Sequence, residues 1–331
     1  MRISIIGCGL IGKERIEAVN YISNNINPNI KIDSVFDTNE NINCEIKNKY
    51  NLRVSESLDE CLNNNPDWVF VSVPHNVAPE IIKKSFNCGA NVLAEKPLGM
   101  SLDQCTNIIN YKPKNLNLNV GFNYRFYDGI ANAIKDCRDG KFGKIISVNI
   151  VLAHGNSPNM SGSWKLDPIK DGGVGIDLGC HVLDLCLQIS GKNLKVEKSK
   201  MWTGFWGTGL KDEEMHSILS DDNGTIYNIQ VSLNRWRSTF RFEINGDKGY
   251  CVVEGRGRSY GQQTYTTGER WGWSKYNKNQ KDTEIIKSCD TSKSFIDETI
   301  AVLKLKDSKI IPCDDLQVTE VMRLLELCRK D

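Results

Sequence analysis

Residues 2–12 read RISIIGCGLIG, a short β-rich run that breaks into Gly7, Gly9 and Gly12. The spacing is that of a strand, a tight turn and a helix N-terminus built around a pyrophosphate. Gly7 permits the turn and Gly9 lets the backbone approach the phosphates. Gly12 lets the helix pack close to the strand, and the N–H groups at Leu10 and Ile11 open the positively polarised helix end. A plain glycine turn satisfies the same three positions, so the surrounding sequence has to decide.

A second strand is predicted over residues 30–36, IKIDSVF, and closes on Asp37. A carboxylate roughly 20 residues beyond the glycines falls where the adenosine ribose of a dinucleotide presents its hydroxyls. It accepts hydrogen bonds from them and repels a 2′-phosphate. Thr38, Asn39 and Glu40 follow with no Arg or Lys, which favours NAD over NADP. Asp37 also suits a turn or helix N-cap, and that use does not exclude the ribose.

The 331-residue chain is long enough for two domains, with the 40% hydrophobic and 25% charged composition of a globular protein. Its 42 Lys and Arg nearly balance 41 Asp and Glu, so no basic field draws it to nucleic acid or to an anionic membrane. The expected partners are a small-molecule substrate and copies of itself. The apolar run at the N-terminus is too brief for a signal peptide or a spanning helix, and a cytoplasmic location is expected. Twelve cysteines are scattered from Cys8 to Cys328 with no CxxC pair and no zinc spacing. They read as structural thiols in a reducing compartment, with no metal site.

The first third alternates strand and helix signals. Residues 67–74 (DWVFVSVP) form a nearly continuous apolar strand, 78–88 a helix, 91–95 (NVLAE) a strand, 102–111 a helix and 118–122 a further strand. This predicts a doubly wound Rossmann domain over residues 1–121 and a second α/β domain over 122–331. In the second, residues 225–235 (TIYNIQVSLNR) alternate apolar Tyr227, Ile229, Val231 and Leu233 with polar Asn228, Gln230, Ser232 and Asn234. That is one strand of an open, mostly antiparallel sheet. Turns at 221–224 (DDNG) and 245–249 (NGDKG) predict hairpins, and helices are expected over 292–305 and 316–329.

Ligands of open parallel sheets bind beyond the carboxyl ends of the strands. Three such ends carry unusual residues: the glycine turn, Val73-Pro74-His75-Asn76 and Glu95-Lys96-Pro97. Lys96 emerges from a buried strand, where an ammonium is either desolvated or held against a ligand, and the bond to Pro97 suits a cis geometry. A second group lies in residues 172–189, GGVGIDLGCHVLDLCLQI, whose apolar residues surround a helix almost completely. Asp177 and His181 stand at i and i+4, paired structurally or opening on a cleft. Asp184 reads as a structural residue.

Together these segments resemble the Gfo/Idh/MocA oxidoreductases, the family of glucose-fructose oxidoreductase and inositol dehydrogenase. The resemblance rests on IIGCGLIG, the strand ending in Asp37, AEKPLGMS (94–101) and SWKLDPIKDGGVGIDLGCHVLDL (163–185). It implies hydride transfer between a nicotinamide and a secondary alcohol of a sugar, cyclitol or nucleotide sugar. The family's EKP lysine falls on Lys96, and its DxxxH acid and histidine fall on Asp177 and His181. The resemblance implies that His181 takes the hydroxyl proton, Lys96 hydrogen-bonds the same oxygen, and Asp177 orients the substrate or the imidazole. Which of Lys96 and His181 is the formal base stays open. Pro74, His75, Glu95 and Lys96 join Gly7, Gly9, Leu10, Ile11, Gly12 and Asp37 as expected cofactor contacts. Tyr124, Arg125, Trp164 and Lys165 join Lys96, Asp177 and His181 as expected substrate contacts.

The chain departs from the family pattern in places. Val73-Pro74-His75-Asn76 stands where many members have Thr-Pro-Asn, Asp171 replaces the first glycine of a GGG run, and Trp164-Lys165 stands where members often have Trp-Arg. The segment ERWGWSKY (269–276), with Arg256 and Arg258, either shelters a sugar ring or nucleotide phosphate or packs on the sheet. The family resemblance also implies a homodimer or homotetramer through the open face of the second sheet. The competing function is a non-catalytic sensor that binds NAD(H) or a sugar on the same fold.

Overall fold

The computed structural model describes residues 1–155, 167, 172–191, 193–207, 209–269, 284–288 (backbone) and 293–330. The chain begins with β1 (Arg2–Ile6), α1 (Leu10–Asn25), β2 (Lys31–Phe36), α2 (Glu40–Tyr50), α3 (Leu58–Asn63), β3 (Trp68–Val71) and α4 (Ala78–Asn87). It continues through β4 (Asn91–Glu95), α5 (Leu102–Tyr111), β5 (Leu118–Gly121), a 3₁₀ turn (Asn123–Phe126), α6 (Asp128–Arg138) and β6 (Ile145–Gly155). A π-turn (Gly175–Gly179) runs into α7 (Cys180–Ser190), followed by β7 (Lys195–Trp202), β8 (Glu214–Ser220), β9 (Ile226–Ser232) and β10 (Asn234–Gly246). The chain closes with β11 (Gly249–Glu254), β12 (Gln263–Glu269), β13 (Glu284–Ser288), α8 (Lys293–Val302) and α9 (Asp315–Cys328). No helix among the described residues is long and apolar enough to cross a membrane.

Two compact units emerge, one of residues 1–123 with 292–319, the other of residues 124–291 with 320–331. In the first, five parallel strands run in the order β2-β1-β3-β4-β5. Ile3, Ser4, Ile5 and Ile6 of β1 and all of β3 are buried, as central parallel strands covered on both faces require. The polar Ser4 is accommodated because its hydroxyl reaches Ser34 Oγ at 3.3 Å and the Cys61 carbonyl at 3.2 Å. Strand order reverses between β1 and β3, so the crevice of this sheet opens beyond Ile6 and Val71.

A single division at Gly121 therefore separates residues 292–319 from the unit they join. Val302 and Leu303 belong to the hydrophobic core built by Ile3, Ile5, Ile16 and Val19. Arg15 of α1 supplies the polar half of that attachment. Its buried guanidinium lies 2.7 Å from Glu298 of α8 and 4.9 Å from the Phe295 ring centroid.

The second unit is an eight-stranded sheet, β13-β12-β11-β10-β6-β9-β8-β7, antiparallel throughout except where β6 and β9 run parallel. Its buried face carries Val148, Ile150 and Leu152 of β6, Tyr227, Ile229 and Val231 of β9, and Phe240, Phe242 and Ile244 of β10. Helices α6 and α7 pack on it. Residues 225–235, predicted as one strand, divide into β9 and the start of β10. The break comes at Leu233, between the two strands, where the N–H still donates to the Glu213 carbonyl at 2.9 Å in register with the β8–β9 pairing.

Candidate active site

The glycine turn leads off from β1 at the switch point of the parallel sheet. Gly7 has φ +85°, and a Cβ there would strike the Ser72 carbonyl; a Cβ on Gly12 would strike the carbonyl of Gly7. Both glycines are thus demanded by the protein's own packing. Gly9 differs, because a Cβ there would meet nothing within 4 Å. Its open side is the space a close-approaching ligand needs. The first intrahelical donor of α1 is Lys13, 3.0 Å from the Gly9 carbonyl, which leaves the N–H groups of Leu10, Ile11 and Gly12 without intrahelical acceptors. The first turn holds no acidic side chain, and Leu10 is exposed.

Asp37 closes the same turn. One carboxylate oxygen accepts the Cys8 N–H at 2.7 Å and the other the Asn39 N–H at 2.9 Å. The turn role and a ribose role coexist, since each oxygen has a further lone pair. The Cys8 thiol, buried beside this carboxylate, is pushed up to about 12. These residues fit a dinucleotide: three outward N–H groups, an uncrowded glycine and an acceptor at the end of the second strand.

Across the crevice, the Pro74 carbonyl accepts the N–H groups of Val77 and Ala78 at 3.0 and 3.1 Å, turning the chain into α4 and placing His75 in a buried position. At the end of β4 the Lys96–Pro97 peptide is cis. Glu95, expected to contact the cofactor, is instead turned toward Arg15, whose Nε donates to it at 2.8 Å. Arg15 bridges Glu95 and Glu298, and a Cβ on Gly121 would lie 2.6 Å from its Nη2. Glu95 thus anchors the strand end from which Lys96 leaves.

In the second unit, the GGVG run is explained by Asp212. The Asp212 carboxylate accepts the Gly175 N–H at 2.5 Å, and its carbonyl accepts the Val174 N–H at 3.0 Å. Gly173, at φ +124°, leaves room for that side chain. Arg329 balances the buried charge at 2.9 Å. The helix then begins with the π-turn Gly175–Gly179, a feature that often marks functional positions. Asp177 lies in this turn and His181 in the first turn of α7, both almost fully buried.

Asp177 Oδ2 lies 3.7 Å from His154 Nε2 at the end of β6. His181 stacks on Tyr124, ring centroids 3.8 Å apart and planes inclined by 14°. The Arg256 guanidinium lies 4.9 Å from the Tyr124 ring centroid and 4.0 Å from that of Tyr260, and donates to Tyr127 Oη at 3.3 Å. Burial pushes the Tyr124 phenol well above its ordinary value, with Arg256 opposing. Tyr124 therefore remains a neutral hydroxyl, packed face to face against the buried imidazole.

A family model described as an oxidoreductase family with NAD-binding Rossmann fold matches residues 1–122, and that of the GFO/IDH/MocA C-terminal domain matches residues 131–252. The chain belongs to the Gfo/Idh/MocA oxidoreductases. Levoglucosan dehydrogenase of Pseudarthrobacter phenanthrenivorans is 24% identical over 66% of this chain and 63% of its own length. An oxidoreductase of Schizosaccharomyces pombe is 30% identical over 43% of this chain, which spans only 39% of that relative's length. Levoglucosan dehydrogenase solved with NADH and levoglucosan superposes with a TM-score of 0.83 at 16% identity, covering 98% of this chain and 95% of that one. UDP-N-acetylglucosamine 3-dehydrogenase of Acidithiobacillus ferrooxidans gives 0.76 at 17% identity, covering 99% and 96%. At such identities the likeness shows the fold.

Within this Gfo/Idh/MocA chain, Arg125 is not a substrate contact. Its side chain is 0% exposed and forms a bidentate ion pair with the equally buried Asp184, Nε donating at 2.8 Å. Asp184 is structural as read. Trp164, Lys165, Asp171 and residues 270–276 lie outside the described residues. His154 escaped the sequence reading, although a signal was present. It continues the parity of Val148, Ile150 and Leu152, which places a polar ring on the buried face of β6.

Proposed function

We propose that this protein is an NAD-dependent dehydrogenase or ketoreductase acting on a secondary alcohol or ketone of a sugar, cyclitol or nucleotide-linked sugar. The observation that carries the reading is the buried imidazole of His181, stacked on Tyr124, with Asp177 presented by the preceding π-turn. The solved complex of levoglucosan dehydrogenase with NADH and its sugar supports the substrate class.

NAD(H), when bound, supplies or accepts the hydride. Gly9 and the N–H groups of Leu10, Ile11 and Gly12 hold its pyrophosphate, and Asp37 accepts the ribose hydroxyls, which favours NAD over NADP. Pro74 and His75 flank the crevice beyond β3. His181 takes the hydroxyl proton of the substrate on an imidazole nitrogen, as general base. Lys96 donates to the same oxygen and offsets its developing negative charge. Asp177, braced by His154, orients the substrate or the imidazole. A homodimer or homotetramer forms through the open sheet face, where Asn228 donates to Asn149 at 2.9 Å beside exposed Ile218. The buried free thiols suit a cytoplasmic setting.

The test is a panel of sugars, cyclitols and nucleotide sugars offered with NAD or NADP, read as reduced-nicotinamide absorbance. His181→Asn and Lys96→Met should each lower kcat by roughly a hundredfold or more while leaving the dissociation constant of NADH unchanged. Full activity in either variant removes that residue from the chemistry. Tight NADH binding with no turnover across the panel overturns the enzyme in favour of a sensor.

A further inference from the structure

A groove of about 640 Å³ in the second unit lies between two irregular segments and is walled on one side by Tyr260. The first segment is a break in the sheet ladder. Asn234 pairs with Gly155 and Thr239 with Ala153, so β10 advances five residues while β6 advances two. Residues 235–238 are thrown outward, and Gly155 is required beneath them because a Cβ would strike the Arg235 carbonyl. Trp236 is 102% exposed, with Arg235 and Arg237 exposed on either side. Among the described residues, no carboxylate forms an ion pair with either guanidinium.

The second segment is the loop GRGRSYG (255–261). It closes on itself through the Gly257 N–H, which donates to the Gly261 carbonyl at 2.6 Å, and the Tyr260 N–H, which donates to the Gly257 carbonyl at 3.1 Å. Ser238 Oγ donates to Ser259 Oγ at 2.9 Å and fastens the two segments together. Tyr260 is also the outermost layer of the stack that continues through Arg256 and Tyr124 to His181. The groove and the imidazole thus share one continuous wall.

The lining chemistry selects its ligand. Neutral sugar hydroxyls are held by carboxylates and carboxamides, and among the described residues none of the groove's side chains is either. Guanidinium forks match phosphate oxygens, and an exposed indole offers a face to a planar base. We infer that this groove binds the nucleoside diphosphate of a nucleotide-linked sugar, with Arg235 and Arg237 on the phosphates and Trp236 against the base. The inference narrows the substrate class of the dehydrogenase reading above and rests on it.

The experiment is calorimetric titration of uridine diphosphate into the whole protein saturated with NADH, so that the glycine turn of the first unit is not available to the probe. Inorganic pyrophosphate is titrated in parallel. The probe should bind, and the double substitution Arg235→Ala with Arg237→Ala should weaken it by about tenfold or more. Trp236→Ala should weaken uridine diphosphate but not pyrophosphate. All three side chains are exposed, so the variants retain the core.

No binding to the NADH-loaded protein overturns the inference, as does equal affinity in every variant. Pyrophosphate binding as tightly as uridine diphosphate overturns the nucleoside part. Trp236→Ala dissociating an oligomer with the nucleotide affinity unchanged reassigns the surface to a contact between copies. Nucleotide binding as expected, with no oxidation of any nucleotide sugar, supports the subsite and overturns the dehydrogenase reading, so the two fail separately.

Discussion

The Tyr124 ring lies parallel to the His181 imidazole, centroids 3.8 Å apart, with the Arg256 cation also seated against the tyrosine. A flat ring held in this way restricts the imidazole to one plane, and in the proposed role of His181 as base a misdirected ring loses much of its rate advantage. Tyr124→Phe keeps the plate and should hold kcat/KM within about threefold. Tyr124→Leu removes it and should lower kcat/KM by roughly ten- to a hundredfold. Steady-state kinetics across pH separates the cases. Equal losses in both variants would show that the hydroxyl, not the stacked ring, is what the site uses.

Arg125 and Asp184 form a pair with no solvent access, so removing the guanidinium leaves the Asp184 carboxylate buried without it, and removing the carboxylate takes the bidentate acceptor from Arg125. Arg125→Met or Asp184→Leu alone should cost about 3–5 kcal/mol, and the two together less than either single change. Urea unfolding of the three variants checks this. Additive losses would mean that each group has an independent stabilising partner.

What the sequence made legible, and what it did not, follows from the range over which each signal acts. Gly7, Gly9 and Gly12 report local demands, and the continuous apolar runs of β1 and β3 report burial on both faces, so the parallel sheet could be read directly. Adjacent residues in a turn are harder. Tyr124 and Arg125 share one 3₁₀ turn, yet one stacks on His181 and the other pairs with Asp184. Glu95 beside Lys96 is a similar case, since nothing near it in the chain announces Arg15. The spacing of Asp177 and His181 sets them about one turn apart, but it does not announce the π-turn that carries Asp177. The return of α8 to the first unit has no local signal at all. An amphipathic helix shows that it has a core to join but not which one, and the deciding charge, Glu298, answers an arginine near the other end of the chain.

Asp136 links α6 to β12, accepting from Tyr265 Oη at 2.6 Å and Lys141 Nζ at 2.7 Å. Burial raises its carboxyl, but hydrogen bonds from Lys141 and Tyr265 and the charges of Lys141 and Lys135 more than reverse this, leaving it below the ordinary 3.8. A folded value below the unfolded one means that the unfolded chain takes up the proton first as pH falls. The stabilisation is therefore complete above the unfolded value and is lost as pH drops through the folded one. Asp136→Asn should be less stable than the parent by a constant margin from about pH 7 to about pH 5, with the margin narrowing below pH 4. Urea midpoints across that range provide the measurement, and a margin that widens on acidification contradicts the assignment.

Gly9 and Gly12 separate the needs of the fold from those of a ligand. A methyl on Gly12 would strike the Gly7 carbonyl, so Gly12→Ala should lower stability by about 1–3 kcal/mol and disturb NADH binding along with it. A methyl on Gly9 meets nothing within 4 Å, and Gly9 has a φ of −66°, open to any L-residue. Gly9→Ala should therefore leave Tm unchanged or slightly raised, because the unfolded chain loses freedom at no cost to the native state. In the proposed placement of the cofactor the same methyl projects into the space of the pyrophosphate, and NADH affinity should fall about tenfold or more. Calorimetry and thermal unfolding on the two variants form a matched pair. Undiminished NADH binding by a stable Gly9→Ala protein would mean that the turn does not cradle the cofactor.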